Sequence, residues 1–238
     1  MPHNDVVIEA FTELAPRYEE TVDRELRRFW GTSYAELADR LLELVSLDGA
    51  GAVLDVATGT GFIPRRLAKT TGAKHRIVGL DITPAVLERG RRIIDSAGSS
   101  VRIELVCASA TTMPLAAGVF DAVICGLGTH HMHVPQLLSE VKRVLRPGGR
   151  VIMADMGASP FLRSFWGTAL LKIVLTLYNL SPLRAQAEQE ALPNIWTGEE
   201  WRTVLSDLGF VEIEITESSA RYRWIPGALI IRAVANRL

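Results

Sequence analysis

Two short stretches carry residue types and spacings that could do chemistry. The first is Val53-Leu-Asp-Val-Ala-Thr-Gly-Thr-Gly61, a β-favouring apolar run with Asp55 near its end that leads into Gly59 and Gly61. Glycines there would let a ligand meet bare backbone. Asp81 ends the next apolar run, about twenty residues beyond the turn, where a carboxylate could accept both hydroxyls of a ribose. The register Gly59-Thr-Gly61-Phe-Ile-Pro64 puts proline where a dinucleotide fingerprint has its third glycine, and no Gly-Lys-Ser/Thr follows for a phosphate loop. An adenosine without a diphosphate fits these features. The second stretch is Gly128-Thr-His-His-Met-His133. Imidazole titrates near neutrality, so His130 or His131 could take a proton from a bound reactant. No carboxylate or thiolate stands at ligand spacing from the three histidines, so no metal site is expected.

The elements around these stretches alternate. Near-continuous apolar runs predict strands at Ala52–Ala57, Arg76–Asp81, Val101–Cys107, Phe120–Gly126 and Arg150–Asp155, separated by helices over 62–72, 84–97 and 135–145. Arg146-Pro-Gly-Gly149 reads as a helix stop. Before the first strand, Leu37, Leu41, Leu44 and Val45 give a helix from Tyr34 to Leu47 one buried face, and an earlier helical stretch ends near Trp30. After Asp155 comes an apolar insertion over 160–195, then a helix Gly198–Leu208 and strands Val211–Thr216 and Ala228–Asn236. A long connection over 217–227 makes the last strand antiparallel.

The expected architecture is therefore α/β: a doubly wound, mostly parallel seven-stranded sheet in one domain spanning 1–238. Its parts are a helical cover (1–48), a ligand-binding core (49–156), an inserted helical lid (157–196) and a closing helix with two strands (197–238).

Composition agrees with a globular chain. Of 238 residues, 48% are hydrophobic and 22% charged; the net charge is −1 and the pI about 6.5, so no global field draws the protein to nucleic acid or an anionic membrane. Cys107 and Cys125 lie in apolar runs without redox or metal spacing, and no basic region leads into an apolar one at the N-terminus, which together suggest a cytoplasmic protein.

Val53–Gly61, Gly79-Leu-Asp81, Met113-Pro-Leu, Phe120-Asp-Ala-Val and Arg146-Pro-Gly-Gly149 resemble, in order and spacing, the motifs of class I S-adenosylmethionine-dependent methyltransferases. Within them the chain is most similar to the ubiquinone/menaquinone C-methyltransferase group and its small-molecule relatives, which its N-terminal Ala15-Pro-Arg-Tyr-Glu19 and the helical insertion between the fifth strand and the last helix also resemble. The resemblance implies S-adenosylmethionine as cofactor. Ala57, Gly59, Thr60 and Gly61 would meet its methionine part, and Asp55 its amino group. Asp81 would hold the ribose and Ile82 would lie on the adenine. Ser109 and Ala110 stand where the family has an Asp or Asn for the adenine amino group. Gly126 and Leu127 would offer a carbonyl to the ammonium, and Tyr18 would close over the whole.

Methyl transfer is an in-line displacement at a sulfonium methyl, so the protein must align the acceptor and remove its proton where needed. His130 and His131 are the candidate bases; the related group carries Gly-Leu-Arg-Asn near this point, so the acceptor and the methylated atom stay open. His133, Phe165, Trp166 and Leu170 are candidate contacts to a lipophilic or aromatic acceptor. Ser164, Thr168, Lys172, Thr176 and Asn179 form one polar stripe on a helix whose remaining face is apolar. That face would serve as a lid, or as a dimer or membrane-surface contact. Lys172 argues against a membrane span. Position 126–129 reads Gly-Leu-Gly-Thr rather than Pro-Pro-aromatic, and no basic patch with interleaved aromatics occurs, which argues against nucleic-acid methylation. A cyclase or binding protein on the same fold is the remaining alternative.

Overall fold

The computed structural model describes residues 2–45, 51–71, 75–97, 102–178, 181–222 and 225–236. Among them, seven strands form one sheet: β1 Ala52–Val56, β2 Arg76–Asp81, β3 Ile103–Cys107, β4 Phe120–Gly126, β5 Leu145–Gly157, β6 Phe210–Ser218 and β7 Gly227–Ala235, in the order β3-β2-β1-β4-β5-β7-β6. The first five run parallel, whereas β7 is antiparallel to both β5 and β6. The apolar character of the central strands follows from burial on both faces. Leu54, Val56, Val78, Leu80, Val123 and Cys125 face one core, and Val53, Ile77, Ala122, Ile124, Ile152 and Ala154 face the other. The first core is closed by α6 (Val134–Val144) and α10 (Gly198–Asp207), the second by α3 (Tyr34–Val45) and α4 (Phe62–Thr71).

Chain order reverses between β1 and β4, which are hydrogen-bonded neighbours with β2 on one side and β5 on the other. In open α/β sheets ligands bind at the carboxyl ends of strands at this switch point. Both stretches singled out from the sequence lie there, since one follows β1 and the other follows β4. Ala57 and Leu127, the residues just past these strands, both adopt left-handed backbone (φ +56° and +65°). Non-glycine residues rarely do so, and such strain concentrates at functional edges.

The predicted strands and helices recur with small shifts, and α5 runs over Pro84–Ser96. Val101, Leu47 and residue 72, the outer ends of three predicted elements, lie outside the described residues. β5 begins at Leu145 rather than Arg150: Phe120 pairs with Leu145 and Ala122 with Arg150, so Arg146-Pro-Gly-Gly149 is a bulge inside the strand, with Gly148 at φ +80°. The stop signal still ends α6 at Val144.

The larger difference is the insertion. Instead of one long helix it forms α7 (Pro160–Arg163), α8 (Phe165–Tyr178) and α9 (Pro182–Ala191), then a 3-10 turn over Leu192–Asn194. Ser159 and Ser181 each cap a following Pro-led helix through the side-chain oxygen, and these starts divide the apolar run. Asn179, the end of the predicted polar stripe, lies outside the described residues. Among the described residues no helix is long and apolar enough to cross a membrane.

The N-terminal cover comprises α1 (Pro2–Leu14), a 3-10 turn and α2 (Tyr18–Phe29). α1 packs on α9 through Val7, Ala10 and Ala187, and Ser181 donates a hydrogen bond to Glu13 at 2.5 Å. The connection after β6 docks on α2: Arg221 N–H donates to the Phe29 carbonyl at 2.7 Å, and Trp30 Nε1 donates to the Pro226 carbonyl at 3.0 Å.

Candidate active site

The glycine turn is held from below by the sheet. Thr58 N–H donates to Leu80 O at 3.0 Å and Gly61 N–H to Thr58 O at 2.9 Å. Gly59 and Gly61 adopt φ +55° and +73°, a conformation that favours glycine. Asp55 is buried: one carboxylate oxygen accepts from Thr58 Oγ1 at 2.6 Å, while Oδ1 has no hydrogen-bond partner. Burial pushes the Asp55 carboxyl up to about 7. A buried carboxylate oxygen without a donor is costly, and an ammonium group would satisfy it. Asp81 reaches back to the same turn, accepting from Gly59 N–H at 2.9 Å and Thr83 N–H at 2.8 Å. It thereby serves both the turn and the start of α5, and its carboxylate keeps lone pairs for further donors. Burial raises its pKa while the hydrogen bonds from Thr83 and Gly59 oppose the rise.

The loop after β3 is tied to this corner, because Ala108 N–H donates to Asp81 O at 3.0 Å. Ser109 and Thr111 share a hydroxyl hydrogen bond at 2.9 Å, Ala110 is buried, and Ile82 is half-buried. Tyr18 lies over the turn, so close that a Cβ built on Gly59 would approach its ring to 2.9 Å. Thr60 is buried and donates to Glu19 at 2.6 Å, where Glu19 also accepts from Arg65 at 2.5 Å. Glu19 thus pins the cover to the turn. The buried orphan oxygen, the left-handed glycine turn and the paired acid at the strand end fit the amino-acid and ribose parts of S-adenosylmethionine.

The residues after β4 make the second half. Leu127 N–H donates to Ala154 O at 2.7 Å, and a 3-10 turn over Thr129–His131 follows. A Cβ on Gly128 would meet Ala57 Cβ at 2.7 Å, so glycine lets the two strand ends close up. The turn wraps the buried carboxylate of Asp155 on β5, which accepts from Thr129 Oγ1, from His130 N–H at 3.0 Å and from His130 Nδ1 at 2.5 Å. Burial alone would lower the His130 pKa, but the Asp155 charge, its hydrogen bond and Glu188 outweigh it and the net direction is up. Asp155 moves down, the His130 charge and hydrogen bond overcoming its burial.

His130 and His131 line a cleft whose wall is mostly apolar. Phe11, Tyr18, Phe29 and Trp30 come from the cover, Leu171, Val174 and Leu175 from α8, and Ile225 and Pro226 from the docked connection. Its polar end holds Glu25, Arg184 and Glu188. Arg184 donates to Glu25 at 2.8 Å and lies 3.6 Å from Glu188. Glu188 stands 3.9 Å from Nε2 of both His130 and His131. One ligand atom from each of these three residues falls within 4.8 Å of the others, a set that could hold a metal ion. The carboxylate that the sequence spacing lacked comes from α9, some distance along the chain.

The structure therefore brings Tyr18, Asp55, Ala57, Gly59, Gly61, Asp81, Ile82, Ser109, Ala110, Gly126 and Leu127 to one edge of the sheet, with His130 and His131 beside them. It does not bring His133 there: this residue is exposed at the N-terminus of α6. Phe165, Trp166 and Leu170 also lie elsewhere, on the outer side of α8, with Phe165 77% and Trp166 76% exposed. The apolar face of α8 is wide enough to serve both sides, and Leu171, Val174 and Leu175 take the inner one. Of the polar stripe, Thr168 is half-buried and donates to Leu162 O at 2.9 Å, while Thr176 stays exposed and accepts from Gln189 Nε2 at 2.8 Å. Sequence reasoning missed Asp155, Glu25, Arg184 and Glu188. Asp155 had a signal, an acid at the carboxyl end of an apolar strand; the other three lie on amphipathic helices where a charge marks nothing.

Comparison with known proteins agrees with this geometry. A methyltransferase-domain family model matches residues 53–149. A ubiquinone/menaquinone biosynthesis C-methyltransferase of a Geobacter species is 33% identical over 175 residues, 69% of each chain. Geranyl diphosphate C-methyltransferase from Streptomyces coelicolor, solved with Mg2+, geranyl diphosphate and S-adenosyl-L-homocysteine, superposes with a TM-score of 0.68 over 93% of this chain and 84% of that one at 17% identity. The cyclase SpnF superposes at 0.67 over 87% and 82% with 20% identity. At these identities the two structures bear on the fold alone. With the family model over the motif-bearing core and a relative one-third identical over 69% of both chains, the protein belongs to the class I S-adenosylmethionine-dependent methyltransferases, near the ubiquinone/menaquinone C-methyltransferase group.

Proposed function

We propose that the enzyme methylates a small lipophilic acceptor bound in the cleft between the N-terminal cover and α8, with His130 as the base. The observation that carries this reading is the Asp155–His130 pair at the mouth of an apolar cleft, next to the glycine turn. When bound, S-adenosylmethionine supplies an electrophilic methyl group. Asp55 holds its amino group, Asp81 its ribose hydroxyls, the Gly59–Gly61 backbone its methionine chain, and Ala110 and Ile82 its adenine. Gly126 and Leu127 border its ammonium end, and Tyr18 excludes water above. Asp155 accepts the Nδ1 proton of His130, so Nε2 faces the cleft as the acceptor of a proton. His131 lies edge-on to Phe11, ring centroids 5.4 Å apart, and forms the adjoining wall.

The lid contacts the acceptor through Leu171, Val174 and Leu175. The outer face of the lid, with Phe161 of α7 and Phe165, Trp166 and Ile173 of α8 exposed, is a surface for a second copy or a membrane, where lipophilic acceptors collect. The test is an acceptor screen against lipophilic phenols, quinones and amines, read as S-adenosylhomocysteine release. His130→Ala should lower kcat about 100-fold or more on the active acceptor while cofactor affinity stays within about twofold. Unchanged kcat would remove His130 as the base. A cyclase on this fold would instead turn over without releasing S-adenosylhomocysteine.

A further inference from the structure

We propose that the acceptor is a lipophilic amine, bound as its ammonium among His130, His131 and Glu188 and methylated on nitrogen. This rests on the cleft being the acceptor site. The Nε2 atoms of His130 and His131 and the Glu188 carboxylate converge there. His130 gives its Nδ1 hydrogen to Asp155 at 2.5 Å, so its Nε2 lone pair points away from the strand, and the two Glu188 oxygens stand 3.9 Å from Nε2 of His130 and of His131. At 3.9 Å these are not hydrogen bonds to one another, and a hydroxyl brings one hydrogen to such a site. An ammonium brings three.

Charge points the same way. Asp155, Glu188 and Glu25 place three carboxylates around the histidines, against one guanidinium, Arg184, which is already bonded to Glu25 and lies 3.6 Å from Glu188. Among the described residues no other lysine or arginine lines the cleft. A phenol methylated on oxygen, or an enol methylated on carbon, must first lose its proton to become an oxyanion, and surplus carboxylates oppose that anion. Methylating an amine places positive charge on nitrogen, which they stabilise. The aromatic rings of Phe11, Tyr18, Phe29 and Trp30 in the wall suit a cationic head on an apolar body.

The step balances. The ammonium passes one proton to His130 Nε2, and the freed nitrogen lone pair forms the N–C bond as the S–C bond breaks, its electron pair staying on sulfur. The products are the methylated ammonium, a neutral thioether and an imidazolium that returns its proton to water. A divalent cation on the same three side chains is the competing occupant, and the Arg184 guanidinium beside Glu188 works against it.

The test is calorimetry on the full chain saturated with S-adenosylhomocysteine, in EDTA, with decylamine and its neutral analogue decanol. The amine should bind about tenfold tighter or more, Glu188→Gln should remove most of that preference, and Glu188→Asp should restore part of it. Equal or tighter binding of decanol would overturn the proposal, as would amine binding that Glu188→Gln leaves unchanged or that needs added Mn2+. A chain that fails to bind S-adenosylhomocysteine contradicts the methyltransferase reading instead, and the two failures are distinct.

Discussion

Asp55 shows how one buried oxygen couples the site to the stability of the fold. Its carboxyl, ordinarily 3.8, is raised to about 7 by burial, so the folded chain holds that proton more tightly than the unfolded one. Its contribution to stability is complete below about pH 4 and is lost as pH rises through about 7. A cofactor ammonium on the orphan oxygen reverses the preference. The rise in Tm caused by saturating S-adenosylhomocysteine should therefore grow between pH 5 and pH 8, and Asp55→Asn should flatten that dependence; an equal slope in the variant contradicts the assignment. His130 gives a second readout. Its pKa is raised, chiefly by Asp155 against the opposing effect of burial, so kcat should climb with pH through an apparent pKa above the ordinary 6.5. Asp155→Asn should bring that midpoint down and lower kcat. Asp55, Gly59, Gly61 and Asp81 were legible in the sequence because a strand end and a tight turn constrain residue type locally. Glu188 and Glu25 were not, because only the packing of α9 on the cover turns them toward the histidines.

At the scale of elements, the insertion shows what hydropathy does and does not carry. The apolar insertion over 160–195 was legible as helical, but its division depended on Ser159 and Ser181 caps that each precede a proline. Nor does hydropathy say which side of an apolar helix faces in. α8 turns Leu171, Val174 and Leu175 to the cleft and leaves Phe165 and Trp166 in solvent. Val174→Asp should accordingly raise the acceptor KM about tenfold or more with cofactor affinity unchanged, since it places a charge in an apolar wall. Trp166→Ser should leave both constants within about twofold while weakening self-association or vesicle binding. If Trp166→Ser alone raised KM, the lid would close with its outer face inward.

Over the whole molecule, the mostly parallel seven-stranded sheet with its antiparallel last strand was legible because the βα alternation and its end need only local signals in the right sequence. The cover, the lid and the connection after β6 close over the switch point through contacts between distant segments: Ser181 to Glu13, Arg184 to Glu25, Trp30 to Pro226. No local pattern announces such pairs. They place the apolar cleft against the His130 side of the glycine turn, and the central claim is that this juxtaposition aims the methyl group. A crystal structure with S-adenosylhomocysteine tests it most directly. The account predicts the amino group on Asp55, the ribose on Asp81 and the sulfur facing the cleft at His130. A sulfur turned away from His130, or a ribose held elsewhere than Asp81, would contradict it.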